Sequence, residues 1–235
     1  MQQRKATWLA ATALGLALTG MAVADPAEDT LSVETDDGTI DFVTKTAAPE
    51  FLKGHLDTIY SGWLFREDET RALQRDDFDN PAMVFYDRGV DRWNATIGNN
   101  GEACAGRHQG PESMAGLRAV MPRVDEKSGK LMIMEDYINN CVTERMGLEK
   151  WGTTSNEMKD MLSVISMQSR GQIVNVKIDG AAAPFWEKGK EIYYTRYGQL
   201  EMSCANCHED HYGQMIRADH LSQGQINGFP TYRLQ

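Results

Sequence analysis

The chain has 235 residues, with 24 Lys and Arg against 34 Asp and Glu, and its net charge of −10 excludes nucleic acid and an anionic membrane surface as principal partners. That length accommodates one large domain or two small ones. Its four cysteines are enough either to pair or to hold a cofactor in an exported protein.

In chain order, Arg4 and Lys5 precede an apolar or small run from Ala6 to Val23 that closes on Ala22-Val23-Ala24. This is the pattern of a secretory signal peptide, residues 1–24, with an AxA cleavage site after Ala24. Its densest apolar stretch, Trp8 to Leu18, is too short to span a bilayer, and no later stretch is apolar enough to do so. The mature protein is therefore expected in the periplasm, starting near Asp25 and lacking a membrane span. Removal of Arg4 and Lys5 takes the net charge from −10 to −12, which suits a basic partner surface.

Residues 25–48 are acidic and rich in Thr, Asp and Ala, and they read as an N-terminal arm with one short strand at Thr39 to Thr44. From Pro49 the apolar spacing becomes helical, at Phe51, Leu52, His55, Ile59 and Tyr60, and it recurs at Tyr137, Ile138, Cys141, Val142 and Met146. Ser155 and Asn156 cap a further helix carrying Met158, Met161, Leu162 and Ile165. Ile173 to Ile178 alternates apolar and polar residues and predicts one strand. Pro184 opens a helix on which Phe185, Trp186, Gly189, Ile192 and Tyr193 share a face. The fold class is mostly α with long loops.

An internal repeat accompanies these helices. At a separation of 100 residues, Gly89 matches Gly189, Trp93 matches Tyr193, Gly98 matches Gly198, Cys104 matches Cys204 and His108 matches His208. The expectation is two tandem cytochrome c-like domains, 49–170 degenerate and without haem, 171–235 carrying one haem c and apparently truncated at its C-terminus.

The second copy contains CANCH, residues 204–208. Two thiols three positions apart on one helical turn can reach both vinyl groups of a haem, and the adjacent imidazole is then held beneath the iron. Cys204, Cys207 and His208 take those roles. A zinc site would need partners such as His211 and His220, and a thioredoxin-type disulfide would need a strand before the motif. The 27 residues after His208 offer His211, Met215 and His220 as sixth ligands, each more in keeping with a surface position. So short a tail buries too little to complete a haem domain.

The first copy reads CAGRH, residues 104–108, with Arg107 in place of the second thiol. A haem on one thioether would bring that charge to its edge. A disulfide between Cys104 and Cys141 is the simpler outcome in an oxidising compartment, worth on the order of 3–4 kcal/mol. His108 then holds no iron.

Four stretches resemble the SoxA subunits of thiosulfate-oxidising SoxAX cytochromes: SGWLFREDETRALQRDDFDNPAM (61–83), YINNCVTERMG (137–147), SCANCHEDHYGQMIR (203–217) and GQINGFPTYR (224–233). The likeness runs from about Pro49 to the end, and the first and last stretches are far more specific than CxxCH. It implies an L-cysteine S-thiosulfotransferase, paired with a SoxX-type monohaem cytochrome c. Such an enzyme couples thiosulfate oxidatively to a cysteine of a SoxYZ-type carrier, electrons leaving through haem c. The broken motif implies the single-haem kind. The family's axial cysteine and its neighbouring arginine follow the GFPTYR segment, beyond Gln235, so no catalytic residue is expected in this chain and it reads as a fragment. A simple periplasmic electron-transfer cytochrome is the alternative, although it has no need of the region around 61–83.

Overall fold

The computed structural model describes residues 30–225. The signal peptide read at 1–24, and residues 226–233 of the GQINGFPTYR stretch, lie outside the described residues.

The arm is folded. Strands β1 (Thr30–Thr35) and β2 (Gly38–Val43) form an antiparallel hairpin in which Thr30 faces Val43 and Thr35 faces Gly38. Val33 is buried, and Glu34 exchanges main-chain hydrogen bonds with Arg75 and Asp77. Arg170 clamps Asp77 through two bonds of 2.7 and 2.8 Å and places its guanidinium over the Phe42 ring, so the hairpin is tied to the helical body at both ends.

Strand β3 (Lys45–Ala47) pairs antiparallel with β4 (Thr58–Tyr60). The helix expected over 51–60 is thus corrected: only a 3-10 turn at Glu50–Leu52 forms, Gly54 turns the chain with φ +84, and the β-branched Thr58 and Ile59 enter a ladder. A second 3-10 turn, Gly62–Phe65, leads into α1 (Asp68–Leu73).

Helices α2 (Met83–Asn94) and α3 (Cys104–His108) follow, then the two-residue strands β5 (Arg123–Val124) and β6 (Leu131–Met132), α4 (Met134–Glu144) and α5 (Asn156–Met167). Local chemistry explains the boundaries. Asp136 accepts a hydrogen bond from the Ile133 N–H at the start of α4, and Ser155 Oγ accepts from the Met158 N–H as the expected cap of α5. Apolar residues at helical spacing then bury one stripe of each helix. Trp93 from α2, Met134, Ile138 and Val142 from α4, and Met158, Met161, Val164 and Ile165 from α5 meet in one core, joined by Met121 and Met146. Methionine is well suited to such a core, because its unbranched chain fills irregular gaps.

Residues 172–178 form neither helix nor ladder, which corrects the strand expected over Ile173 to Ile178. Ile173 is 88% exposed, and Asn175 is held by a single main-chain bond to Ala119. Helix α6 (Ala183–Tyr194), with Pro184 in its first turn, leads to α7 (Cys204–His208) and the small hairpin β7 (Met215–Ile216) and β8 (Asp219–His220). Both ends of α6 fall 100 residues after those of α2, and both ends of α7 fall 100 residues after those of α3. No described helix is long and apolar enough to cross a membrane.

Candidate functional site

Helix α7 is a single capped turn. Ser203 Oγ accepts from the Asn206 N–H at 3.4 Å while Asn206 Oδ1 accepts from the Ser203 N–H at 2.9 Å, a reciprocal arrangement that fixes where the turn begins. Cys204 and Cys207 are three positions apart on it, the first exposed and the second half-buried. His208 Nδ1 lies 2.7 Å from the Ser222 carbonyl oxygen. A carbonyl only accepts, so Nδ1 carries the proton and Nε2 is left with a free lone pair. Two thiols and an imidazole in that tautomer fit a covalently attached haem. Helix α6 has no buried residue among its twelve, and Phe185, Ile192, Leu200 and Met202 leave apolar surface beside the motif of the kind a porphyrin covers.

Glu209, next to the histidine, has a side chain only 7% exposed. Tyr194 Oη donates to it at 2.7 Å, and His55 Nδ1 stands 3.1 Å from its other oxygen. Burial first, and then the Glu209 carboxylate, push the Tyr194 hydroxyl upward, so it remains a donor. The same causes, burial ahead of Glu209, push Tyr193 up to about 12. The His55 and Tyr194 rings are 5.1 Å apart, Phe51 meets Trp186 edge to face, and Tyr212 packs on Tyr60 and Phe65. The segment from Phe51 to Phe65 therefore lies along the second motif, although it is close in sequence to the first. Glu209, His55 and Tyr194 gave no sequence signal beyond the position of Glu209 beside His208.

Of the residues offered as sixth ligands, Met215 and His220 face each other across the β7–β8 pair, both exposed. His220 is 3.9 Å from Glu67. Among the described residues no group of His, Cys, Asp or Glu gathers as a zinc site requires.

The first motif is arranged differently. Cys104, His108 and Cys141 line a cavity of about 260 Å³ together with Trp93, Met121 and Met161. The Trp93 and His108 rings are 6.0 Å apart, and the Trp93 indole donates to the Gln109 carbonyl at 2.7 Å. All four cysteines stand as thiols. Burial, reinforced by the neighbouring Cys141, pushes Cys104 up to about 11. Burial also raises Cys141, against the lowering influence of Arg107 and Arg145. Arg107 thus acts on Cys141 from the position a second thioether cysteine would occupy.

The helical core and the first motif define the class: the family model described as the SoxA/TsdA cytochrome c domain matches residues 88–174, and such a domain implies covalently bound haem c. The curated L-cysteine S-thiosulfotransferase subunit SoxA of Paracoccus pantotrophus is 78% identical over 227 residues, covering 97% of this chain and 78% of that protein. Its counterparts from Rhodovulum sulfidophilum and Pseudaminobacter salicylatoxidans are 48% and 46% identical over 96% and 93% of the chain, matching 78% and 75% of their own lengths. The crystal structure of SoxXA from P. pantotrophus superposes with a TM-score of 0.85 at 78% identity, over 89% of this chain and 80% of that one. The chain belongs to the SoxA family.

Proposed function

We propose that this chain is the A subunit of an exported thiosulfate-oxidising cytochrome, paired with a SoxX-type monohaem cytochrome c and acting as an L-cysteine S-thiosulfotransferase. The observation that carries this reading is the 78% identity to a curated SoxA over nearly the whole chain. In the net reaction the outer sulfur of thiosulfate forms an S–S bond with a cysteine sulfur of a SoxYZ-type carrier. The thiol proton goes to solvent, and two electrons pass to a cytochrome acceptor.

Within this reading one haem c would be held by Cys204 and Cys207 through thioethers and by His208 as an iron ligand. Its contribution when bound is one-electron transfer. The chain's own residues orient it: the Ser222 carbonyl fixes the His208 tautomer, and the Ser203–Asn206 cap sets the turn that spaces the thiols. Residues 49–170 form the degenerate copy and 171–235 the haem-bearing one, after a signal peptide at 1–24 and an arm at 25–48. Two observations support a first copy without haem. Arg107 replaces a thiol, and a cavity of about 260 Å³ falls below the ~300–1,000 Å³ usual for a bound small molecule. Cys104 and Cys141, neighbours on that cavity, are proposed to form a disulfide in the periplasm.

The test combines the haem-loaded native gene product, including any sequence that follows Gln235, with its cytochrome partner, thiosulfate, an oxidised cytochrome acceptor and a carrier bearing one reactive cysteine. Mass spectrometry is expected to find a thiosulfonate on that cysteine, with two acceptor molecules reduced per adduct. Reduction of the acceptor with no adduct would instead identify a simple electron carrier.

A further inference from the structure

We propose that Gln223 is a positioning residue for the haem's histidine ligand, acting through the peptide unit that joins it to Ser222. The inference rests on the reading of His208 as axial ligand.

The Ser222 oxygen that receives the His208 Nδ1 proton belongs to the same rigid peptide plane as the Gln223 nitrogen. On its N-terminal side that plane follows Leu221, whose main chain continues the β7–β8 hairpin through bonds with Gly213 and Gln214, and the Gly224 N–H donates to Ser222 Oγ at 3.1 Å. On its C-terminal side the anchor is the Gln223 side chain, only 4% of the residue being exposed. Its Nε2 donates to the Thr58 carbonyl at 2.9 Å, and its Oε1 accepts from the Tyr60 N–H at 2.8 Å.

The geometry of β4 explains why one amide satisfies both groups. Thr44 with Ser61 and Ala48 with Asp57 are hydrogen-bonded pairs of the β3–β4 ladder, so Thr58 and Tyr60, in the alternate register, turn their main-chain groups to the outer edge. The Gln223 carboxamide spans that edge as a neighbouring strand would. A residue more than 160 positions away thereby carries the stiffness of a two-stranded ladder to the Ser222 oxygen. Gly224, with φ +73, turns the chain away against the imidazole; a Cβ there would meet His208 Nδ1 at 3.4 Å.

The consequence is electronic. A short bond from Nδ1–H to a fixed carbonyl puts electron density on Nε2, making it a stronger donor that favours the ferric state. Loosening the carbonyl weakens the donor and raises the potential.

The experiment uses the haem-loaded chain with its cytochrome partner. Redox titration, with electron paramagnetic resonance resolving the haem of this chain, compares the parent with Gln223→Met, Gln223→Glu and Phe51→Ala. Gln223→Met is expected to raise the midpoint potential and shift the resonance at full haem content. Gln223→Glu keeps an acceptor for the Tyr60 N–H and is expected to fall between the two. Phe51→Ala loosens the same segment at Trp186, away from Ser222, and is expected to keep the parent potential. A parent potential in both Gln223 variants overturns the proposal, as does an equal rise in Phe51→Ala. If Gln223→Met does not accumulate, Gln223→Glu decides alone, a rise supporting and a parent value overturning. Absence of covalent haem from the parent is a separate result, and it overturns the reading of His208 itself.

Discussion

Gly89 of α2 lies directly against the main chain of Asp160 in α5: a Cβ on it would overlap the Asp160 carbonyl oxygen and stand 3.1 Å from Val164 Cβ. The close approach of α2 to α5 thus depends on a missing side chain. Gly189, its counterpart 100 residues on, has nothing within 4 Å of the same imagined atom. Gly89→Ala is expected to cost roughly 1–3 kcal/mol through overpacking. Gly189→Ala is expected to be neutral or to stabilise by up to about 1 kcal/mol through helix propensity. Chemical denaturation of both variants checks the pair, and equal costs would refute the asymmetry.

Asp160 itself is fully buried and accepts from Arg88 at 2.6 and 3.0 Å and from Arg92 at 3.2 Å. Removing the carboxylate leaves Arg88 and Arg92 with side chains 44% and 25% exposed, so what is lost is a set of charge-assisted hydrogen bonds rather than the pairing of a buried charge. Asp160→Ala is expected to lose about 1.5–3 kcal/mol. Thermal unfolding measures this, and a loss below about 1 kcal/mol would mean that the arginines find water instead.

The Cys104–Cys141 pair makes a prediction about alkaline pH. As thiols, Cys104 ionises near 11 in the folded chain against about 8.5 unfolded. The stability this represents is fully present below the unfolded value and is lost as pH rises through the folded one, because the unfolded chain sheds its proton first. Discounted for partial exposure, the loss is about 1–2 kcal/mol across pH 9–11, and Cys141 adds to it in the same direction. A disulfide has no thiol to titrate. Reduced protein is therefore expected to lose this stability relative to oxidised protein, by denaturant titration at each pH, and parallel curves would contradict it. Alkylation of the denatured, unreduced protein is expected to label neither residue.

The haem count separates the two motifs. One haem per chain is expected from the pyridine haemochrome spectrum, and it should be unchanged in Cys104→Ser. The double variant Cys204→Ser and Cys207→Ser is expected to leave no haem bound after denaturation. Two haems per chain, or loss of haem in Cys104→Ser, would place cofactor in the first copy.

The sequence by itself determined what depends on neighbours within one or two turns. The periodic apolar stripes predicted α4, α5 and α6, Ser155 marked the start of α5, Pro184 opened α6, and the spacing of Cys204, Cys207 and His208 pointed to the haem motif. Each of these is a local relation, written in side-chain period and capping chemistry. The tertiary structure decided whatever has its partner far along the chain. Residues 51–60 carry a helical pattern, yet Thr58 to Tyr60 became strand because Lys45 to Ala47 on one side and Gln223 on the other supply hydrogen-bond partners. Ile173 to Ile178 alternate like a strand, yet they join none of the described two-stranded sheets, Asn175 making one main-chain bond to Ala119. Asp160 meets Arg88, Glu209 meets His55 and Gln223 meets Tyr60 across 72, 154 and 163 positions, separations at which composition and spacing hold no information about contact.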